Sequence, residues 1–199
     1  DESKNLTIQR FGRTVLLYIP LYISNECINK CLYCNFRGDN NSGRLTLSEY
    51  DILKESEIIY GKGFRHILLV AGEFKNPEPA AFISKLALKI KKKFSFIGIE
   101  TQPFEKENYD ELSKNGVDGV TAYQETYDPN VYKINHPSGP KSNYASRLNA
   151  GDKVLSSDMR HFNLGALLGL GGFGSEAVGL FLHITYLRKK YWDKYISLS

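Results

Sequence analysis

Residues 15–34 read VLLYIPLYISNECINKCLYC. An apolar run of strand length (15–23) leads directly into a loop that carries all the cysteines of the chain, Cys27, Cys31 and Cys34. Three is an odd number, and the three fall within one short segment. A disulfide framework would spread an even number along the chain. Buried structural thiols do not explain the clustering, whereas reduced thiolates acting as ligands do, in a cytoplasmic protein.

Outward from this stretch, apolar runs alternate with amphipathic segments. Strands are expected at 15–23, 66–71, 96–101, 119–125, 162–168 and 195–199. Helices are expected between them, at 47–60, 77–93, 105–115, 144–155 and 175–191. Thr46 and Glu49 form a capping-box pattern. Asn76 followed by Pro77 places a cap before a proline suited to the first helical position. Asn115-Gly116 supplies a left-handed residue that stops a helix. Such alternation with mostly apolar strands predicts an α/β fold, a parallel sheet covered by helices. Six strands suit an open, partial TIM-like (βα) barrel, with a flat doubly wound sheet as the alternative. In either arrangement a ligand site lies at the C-terminal ends of the strands.

The composition is that of an ordinary globular domain, 42% hydrophobic and 24% charged over 199 residues. The formal charge of +4 permits an anionic ligand but does not argue for nucleic acid. The KIKKK run (89–93) reads as a solvated helix end that complements the helix dipole. The most apolar region, 162–187, is interrupted by glycines and by Glu176, so no membrane span is expected. No signal peptide is recognisable, and the only methionine is Met159. The chain is therefore expected to be one domain, 1–199, cut from a longer protein and lacking an N-terminal helical segment and the last barrel strands.

The spacing Cys27-x3-Cys31-x2-Cys34 lets three thiolates curl round one corner of a cubane cluster, leaving one of four irons open. An open iron can chelate the amino and carboxylate groups of S-adenosylmethionine. Zinc, with a distant histidine as fourth ligand, is the alternative. Tyr33 before the last cysteine can pack beside an adenine ring or simply fill the loop.

This pattern resembles the radical S-adenosylmethionine (radical SAM) superfamily. Further segments extend the resemblance: RFGRT (10–14), PLYISN (20–25), LLVAGE (68–73), ETQP (100–103), YQETY (123–127), HPSGPK (136–141) and LGALLG (164–169). Together they are similar to the tyrosine lyases of thiamine biosynthesis, the 2-iminoacetate synthases. A near relative is the tyrosine lyase of [FeFe]-hydrogenase maturation. ETQP and KKYW (189–192) favour the thiamine branch. Two departures stand out: Asn35 occupies a place where glycine usually follows the third cysteine, and 151–162 differs from the familiar helix-to-strand connection.

The resemblance implies a [4Fe-4S] cluster on the three cysteines and S-adenosylmethionine on its open iron. It implies cofactor contacts from Tyr33, from Ala71, Gly72 and Glu73 at the end of the second strand, and from Gln102, Gln124, Glu125, Arg147 and Leu168. Glu73 would accept from the methionyl amino group, and Leu167 or Leu168 would wall the adenine. Glu100 and Ser199 are candidates for substrate contact. The residues also admit plainer readings: a solvated glutamate for Glu73, a buried hydrogen-bond pair for Glu100 and Gln102, a surface ion pair for Arg147, and core packing for the leucines.

The implied reaction uses a 5′-deoxyadenosyl radical to take hydrogen from the amino group of L-tyrosine. Cα–Cβ cleavage then gives 2-iminoacetate (dehydroglycine) and p-cresol. The implied partners are an electron donor of flavodoxin or ferredoxin type and thiazole synthase, with no nucleic acid and no membrane. The competing readings are hydrogenase maturation and, in another class, a non-enzymatic zinc or electron-transfer module. Gly169, Gly171 and Gly174 fit G-x-G-x-x-G between a strand and a helix. No acid clearly ends the next strand, so they read as a loop over the barrel mouth rather than a dinucleotide site.

Overall fold

The computed structural model describes residues 1–73 and 78–199. After a first helix α1 (Glu2–Phe11) the chain alternates strands and helices. The strands are β1 (Tyr18–Ser24), β2 (His66–Ala71), β3 (Phe96–Glu100), β4 (Gly119–Thr121), β5 (His161–Leu164) and β6 (Tyr195–Leu198). The helices between them are α2 (Glu49–Gly61), α3 (Pro79–Ile90), α4 (Lys106–Lys114), α5 (Pro129–Asn135), α6 (Tyr144–Leu148), α7 (Ala150–Leu155) and α8 (Phe173–Lys190). A 3₁₀ turn, Pro140–Ser142, precedes α6.

All pairings are parallel and the strand order is β1-β2-β3-β4-β5-β6, so the sheet is an open segment of a barrel. Parallel strands cannot be joined by tight turns, which is why a helix or loop crossover separates every pair.

Side-chain alternation divides each strand between two environments. Ile23, Ile67, Leu69, Ile97, Ile99, Phe162 and Leu164 face the helices and are fully or almost fully buried. They pack against Ile52, Ile83, Leu86, Leu112, Val154 and Leu187 in one core. The opposite face lines the barrel interior and is more polar. One register row across it runs Tyr22, Val70, Glu100, Thr121, Asn163, Ser197. Hydrogen bonds connect its last strands: His161 Nε2 with Ser197 Oγ (2.7 Å), Ser197 Oγ to Asn163 Oδ1 (2.8 Å), Asn163 Nδ2 to Ser199 Oγ (2.7 Å), and Ser199 Oγ to the Tyr123 hydroxyl (3.4 Å).

Several local expectations change. The cap of α2 is Ser48, whose Oγ accepts from Asp51 N at 3.2 Å. Thr46 instead sits in a bridge with Ser24, and the two hydroxyls are hydrogen-bonded at 2.7 Å. Glu49 is turned to Lys85 and Lys89. Pairing of the loop with β1 thus claims Thr46 before the helix begins. The cap expected at Asn76 and Pro77 lies outside the described residues. Asn115-Gly116 does end α4, with Gly116 at φ 108°.

The helix expected over 144–155 breaks in two at Asn149, and Asn143 caps the first half by accepting from Ser146 N. The strands expected over 119–125 and 162–168 stop early as regular strands. Their ladder nevertheless continues through Ala122 N to Asn163 O and Gln124 N to Gly165 O, ending in a Glu125–Ala166 bridge. Helices α1 and α5 were not anticipated. The second carries a legible signal, since Asp128 accepts from Asn130 N and Val131 N and Pro129 follows at the first helical position. Among the described residues no helix is long and apolar enough to cross a membrane.

Removing the Ser48 hydroxyl deprives a helix end of its acceptor. Ser48→Ala is expected to lower unfolding free energy by about 1 kcal/mol in denaturant titrations, whereas Thr46→Ala leaves the cap intact.

Candidate active site

The cysteine loop is built by backbone and guanidinium hydrogen bonds. On one side Asn25 N donates to Leu45 O and Leu47 N to Ile23 O. Arg44 closes the loop's inner edge by donating to the carbonyls of Asn25, Phe36, Arg37 and Asn40. On the other side Ile28 N donates to Glu73 O, Lys30 N to Ser138 O and Leu32 N to Asn135 O. The loop is therefore clamped between the end of β2 and the segment after α5.

Gly72 makes that approach possible. A Cβ built there would lie 2.5 Å from the Glu26 carbonyl oxygen and 2.8 Å from Cys27 Cβ, closer than any side chain tolerates. The glycine is required by proximity rather than by its own dihedral angles.

At the C-terminal ends of the strands lies a cavity of about 480 Å³. Cys27, Cys31 and Cys34 line it together with Tyr33, Ala71, Gly72, Glu73, Glu100, Gln102, Glu125, Arg147 and Leu167. Residues separated by as much as 140 positions thus meet at one place.

Besides Glu73, four charged groups meet over this cavity, Glu100, Glu125, Lys141 and Arg147. Glu125 is buried and pairs with Lys141 Nζ at 2.6 Å. Its backbone is left-handed, φ 71°, a conformation that costs a non-glycine residue and that the surrounding ladder maintains. Glu100 is held above the usual carboxylate range by burial, and next by the Glu125 charge; Arg147 and Lys141 oppose this. Arg147 is anchored by its Nε, which donates to Tyr123 O at 2.6 Å.

Burial pushes the Cys31 thiol up, and the Lys141 cation pulls against it. The Tyr33 phenol is driven strongly upward by burial and then by Glu125, so it stays protonated. It donates to His136 Nε2 at 2.7 Å, because His136 Nδ1 faces the Tyr132 carbonyl at 2.8 Å and must carry the ring hydrogen.

The histidines needed for a zinc site are elsewhere. His66 and His161 line a second cavity deeper in the barrel, and His183 is bonded to the Tyr127 hydroxyl. Both ring nitrogens of His136 are engaged. Among the described residues no imidazole lines the cysteine cavity.

Residues 21–181 match the family described as the radical SAM superfamily, and the chain belongs to it. It is 38% identical to the 2-iminoacetate synthase of Salmonella typhimurium and 37% identical to that of Escherichia coli, in each case over 100% of this chain and 53% of the relative. Among solved structures it is similar to the FeFe-hydrogenase maturase HydG from Carboxydothermus hydrogenoformans. There the TM-score is 0.93 and the identity 31%, over 99% of this chain and 47% of the other. The chain spans about half the length of these relatives.

The family implies a [4Fe-4S] cluster and S-adenosylmethionine, and the cavity fits them. Three thiols share its wall without a histidine, and the buried Oε1 of Gln102 has no partner among the described residues. A buried acceptor left alone is costly, so a ligand donor there is favourable.

Three residues expected to make contacts lie outside the lining of this cavity. Gln124 is buried but faces away from the cavity, its Nε2 donating to Thr126 O, because alternation turns it opposite to Glu125. Leu168 is 66% exposed, and its neighbour Leu167 takes the cavity position. Ser199 lines the deeper cavity and reaches this one only through Tyr123. The G-x-G-x-x-G segment wraps an acid: the buried Glu176 carboxylate accepts from Thr126 Oγ1 and Tyr127 N beside Gly171. Such an acid disfavours a phosphate.

Asn29 and Lys141 line the site but were not singled out individually from sequence, and His136, considered only as a distant zinc ligand, instead supports Tyr33 from behind. The C-I-N-K-C and HPSGPK segments contained them, and only the fold brings them together.

Two outcomes follow from this geometry. Gly72→Ala is expected to displace the cysteine loop and lower iron uptake on anaerobic reconstitution, measured as iron per chain. Glu100 has a raised folded pKa, so its ionisation destabilises the folded protein as pH rises from the unfolded value toward the folded one. In the unreconstituted protein Glu100→Gln is therefore expected to be the more stable variant in denaturant titrations at neutral pH. The difference should vanish below about pH 4, where the unfolded carboxyl is also protonated.

Proposed function

We propose that this chain carries the catalytic barrel of a tyrosine lyase, cleaving the Cα–Cβ bond of L-tyrosine to 2-iminoacetate and p-cresol. The observation that carries the proposal is the meeting of the three cysteines, Glu73, Gln102, Glu125 and Arg147 around one cavity. The chain that builds it is 38% identical to a 2-iminoacetate synthase over its whole length.

In this reading Cys27, Cys31 and Cys34 hold the cluster, and Ala71, Gly72 and Glu73 form a rim for the amino-acid end of S-adenosylmethionine. Together the cluster and S-adenosylmethionine supply the 5′-deoxyadenosyl radical. Glu73 accepts from the cofactor's ammonium. Gln102 offers its unpartnered oxygen to a donor, and Leu167 and Tyr33 supply apolar surface to the adenosyl group. Arg147, fixed through Nε, directs positive charge at a carboxylate. Glu125, already neutralised by Lys141, presents an acceptor without adding net charge to the cavity. Glu100, whose burial favours the protonated carboxyl, can meet an amino or hydroxyl group of the substrate. The walls exclude water and competing hydrogen donors.

A donor of flavodoxin or ferredoxin type would provide the electron, and 2-iminoacetate would pass to thiazole synthase. The likeness to HydG supports a second destination, hydrogenase maturation, which begins with the same cleavage. A further cluster-binding cysteine set in the complete protein would favour that branch.

Anaerobic reconstitution with iron and sulfide, followed by dithionite, S-adenosylmethionine and tyrosine, tests the reading. The complete protein is expected to yield 5′-deoxyadenosine and p-cresol in step, and Cys31→Ala neither. Cofactor cleavage without p-cresol would reject tyrosine as substrate, and one zinc per chain without iron absorbance would reject the cluster.

A further inference from the structure

Asn29 lies inside the cysteine loop, 2% exposed, and its side chain is used on every side. Oδ1 accepts from Lys141 N at 2.8 Å. A backbone N–H can only donate, so this contact settles which end of the amide is oxygen. The Nδ2 group therefore faces the other two neighbours, donating to Glu73 Oε2 at 2.6 Å and to Cys27 Sγ at 3.6 Å. The loop closes tightly around it. Gly38 N donates to the Asn29 carbonyl at 2.7 Å, and a Cβ on Gly139 would overlap Asn29 Oδ1.

Only one other N–H in the loop reaches a cysteine sulfur, that of Phe36, which lies 3.4 Å from Cys34 Sγ. It belongs to the backbone and survives any side-chain change. The Asn29 amide is the side-chain donor that the sequence can vary.

A hydrogen bond to a ligating thiolate withdraws charge from sulfur. It stabilises the electron-rich reduced cluster more than the oxidised one and raises the reduction potential. The same amide's second hydrogen holds the Glu73 carboxylate in place. We propose that Asn29 is a positioning and tuning residue: its amide raises the potential of the cluster through Cys27 while fixing Glu73 at the cofactor rim. This rests on the reading of the three cysteines as cluster ligands.

The test is a potentiometric titration followed by electron paramagnetic resonance, on reconstituted protein without S-adenosylmethionine. Asn29→Ser removes both N–H contacts, and Asn29→Asp keeps the size and the Lys141 contact while losing the amide hydrogens. Both are expected to shift the midpoint to more negative potential, lowering several-fold the reduced fraction at a fixed solution potential. Both should also weaken S-adenosylmethionine binding, read as a smaller spectral change on its addition.

A loaded cluster whose potential neither substitution moves overturns the inference and leaves the functional reading standing. A wild-type protein that takes up no cluster overturns both. If the variants do not load, the wild type decides. Asparagine labelled with ¹⁵N in the side chain, in an Asn35→Ser background that removes the other cavity amide in the loop, should show nitrogen hyperfine coupling to the reduced cluster. Its absence rejects the contact.

Discussion

Where β2 ends, the chain has no side chain at Gly72, and the backbone of Glu26 and the Cβ of Cys27 occupy the space that one would fill. The hydrogen bond from Ile28 N to Glu73 O, 2.9 Å, closes the contact. Because of it the cysteine loop lies flat against the sheet instead of projecting into solvent. The loop's far edge can then reach the segment after α5 through Lys30 and Leu32. Cys27, Glu73 and Asn29 come together only because this joint is tight. A looser one would separate the cysteines from the polar groups at the strand ends, and the cavity would lose one wall.

The cavity so formed balances its charges unevenly. Glu125 and Lys141 neutralise each other at close range in a buried pair, where removing one partner would leave the other uncompensated. Among the described residues Glu100 has no such partner, and it answers burial by holding its proton more firmly. Arg147, tethered to the Tyr123 carbonyl, is left facing the two acids. Together with the Glu73 carboxylate held by Asn29 at the rim, the site therefore offers one carboxyl that burial favours protonated, one neutralised carboxylate and one directed cation. An amino-acid-bearing ligand complements such a set with its own ammonium and carboxylate.

Much of this was legible in the amino-acid order. Strand positions followed from apolar runs, because in a parallel sheet the helix-facing residues, such as Ile67, Leu69, Ile97 and Ile99, must be apolar whatever the interior does. The cysteine spacing and the strand-end acids followed from chemistry that needs those groups close together. The misreadings share a cause. Thr46 and Ser48 are equally good caps on paper, and only the bridge to Ser24 decides between them. Leu167 and Leu168, like Gln124 and Glu125, are neighbours of similar character. Which one meets the cavity depends on one residue of register, and Glu125 adopts a backbone angle that no pattern announces. Asn29 has an unremarkable identity in a loop, and its partners lie 44 and 112 residues away.

The polar file across the last two strands carries one further implication. Ser197 spends its single hydrogen on Asn163, Asn163 passes one to Ser199, and Ser199 passes one to the Tyr123 hydroxyl. The file thus links the foot of the barrel, at His161, to its mouth, at Tyr123. A phenol at the cavity wall is joined to a histidine at the start of β5 through side chains alone, with the amide of Asn163 as a link between strands beyond the backbone ladder.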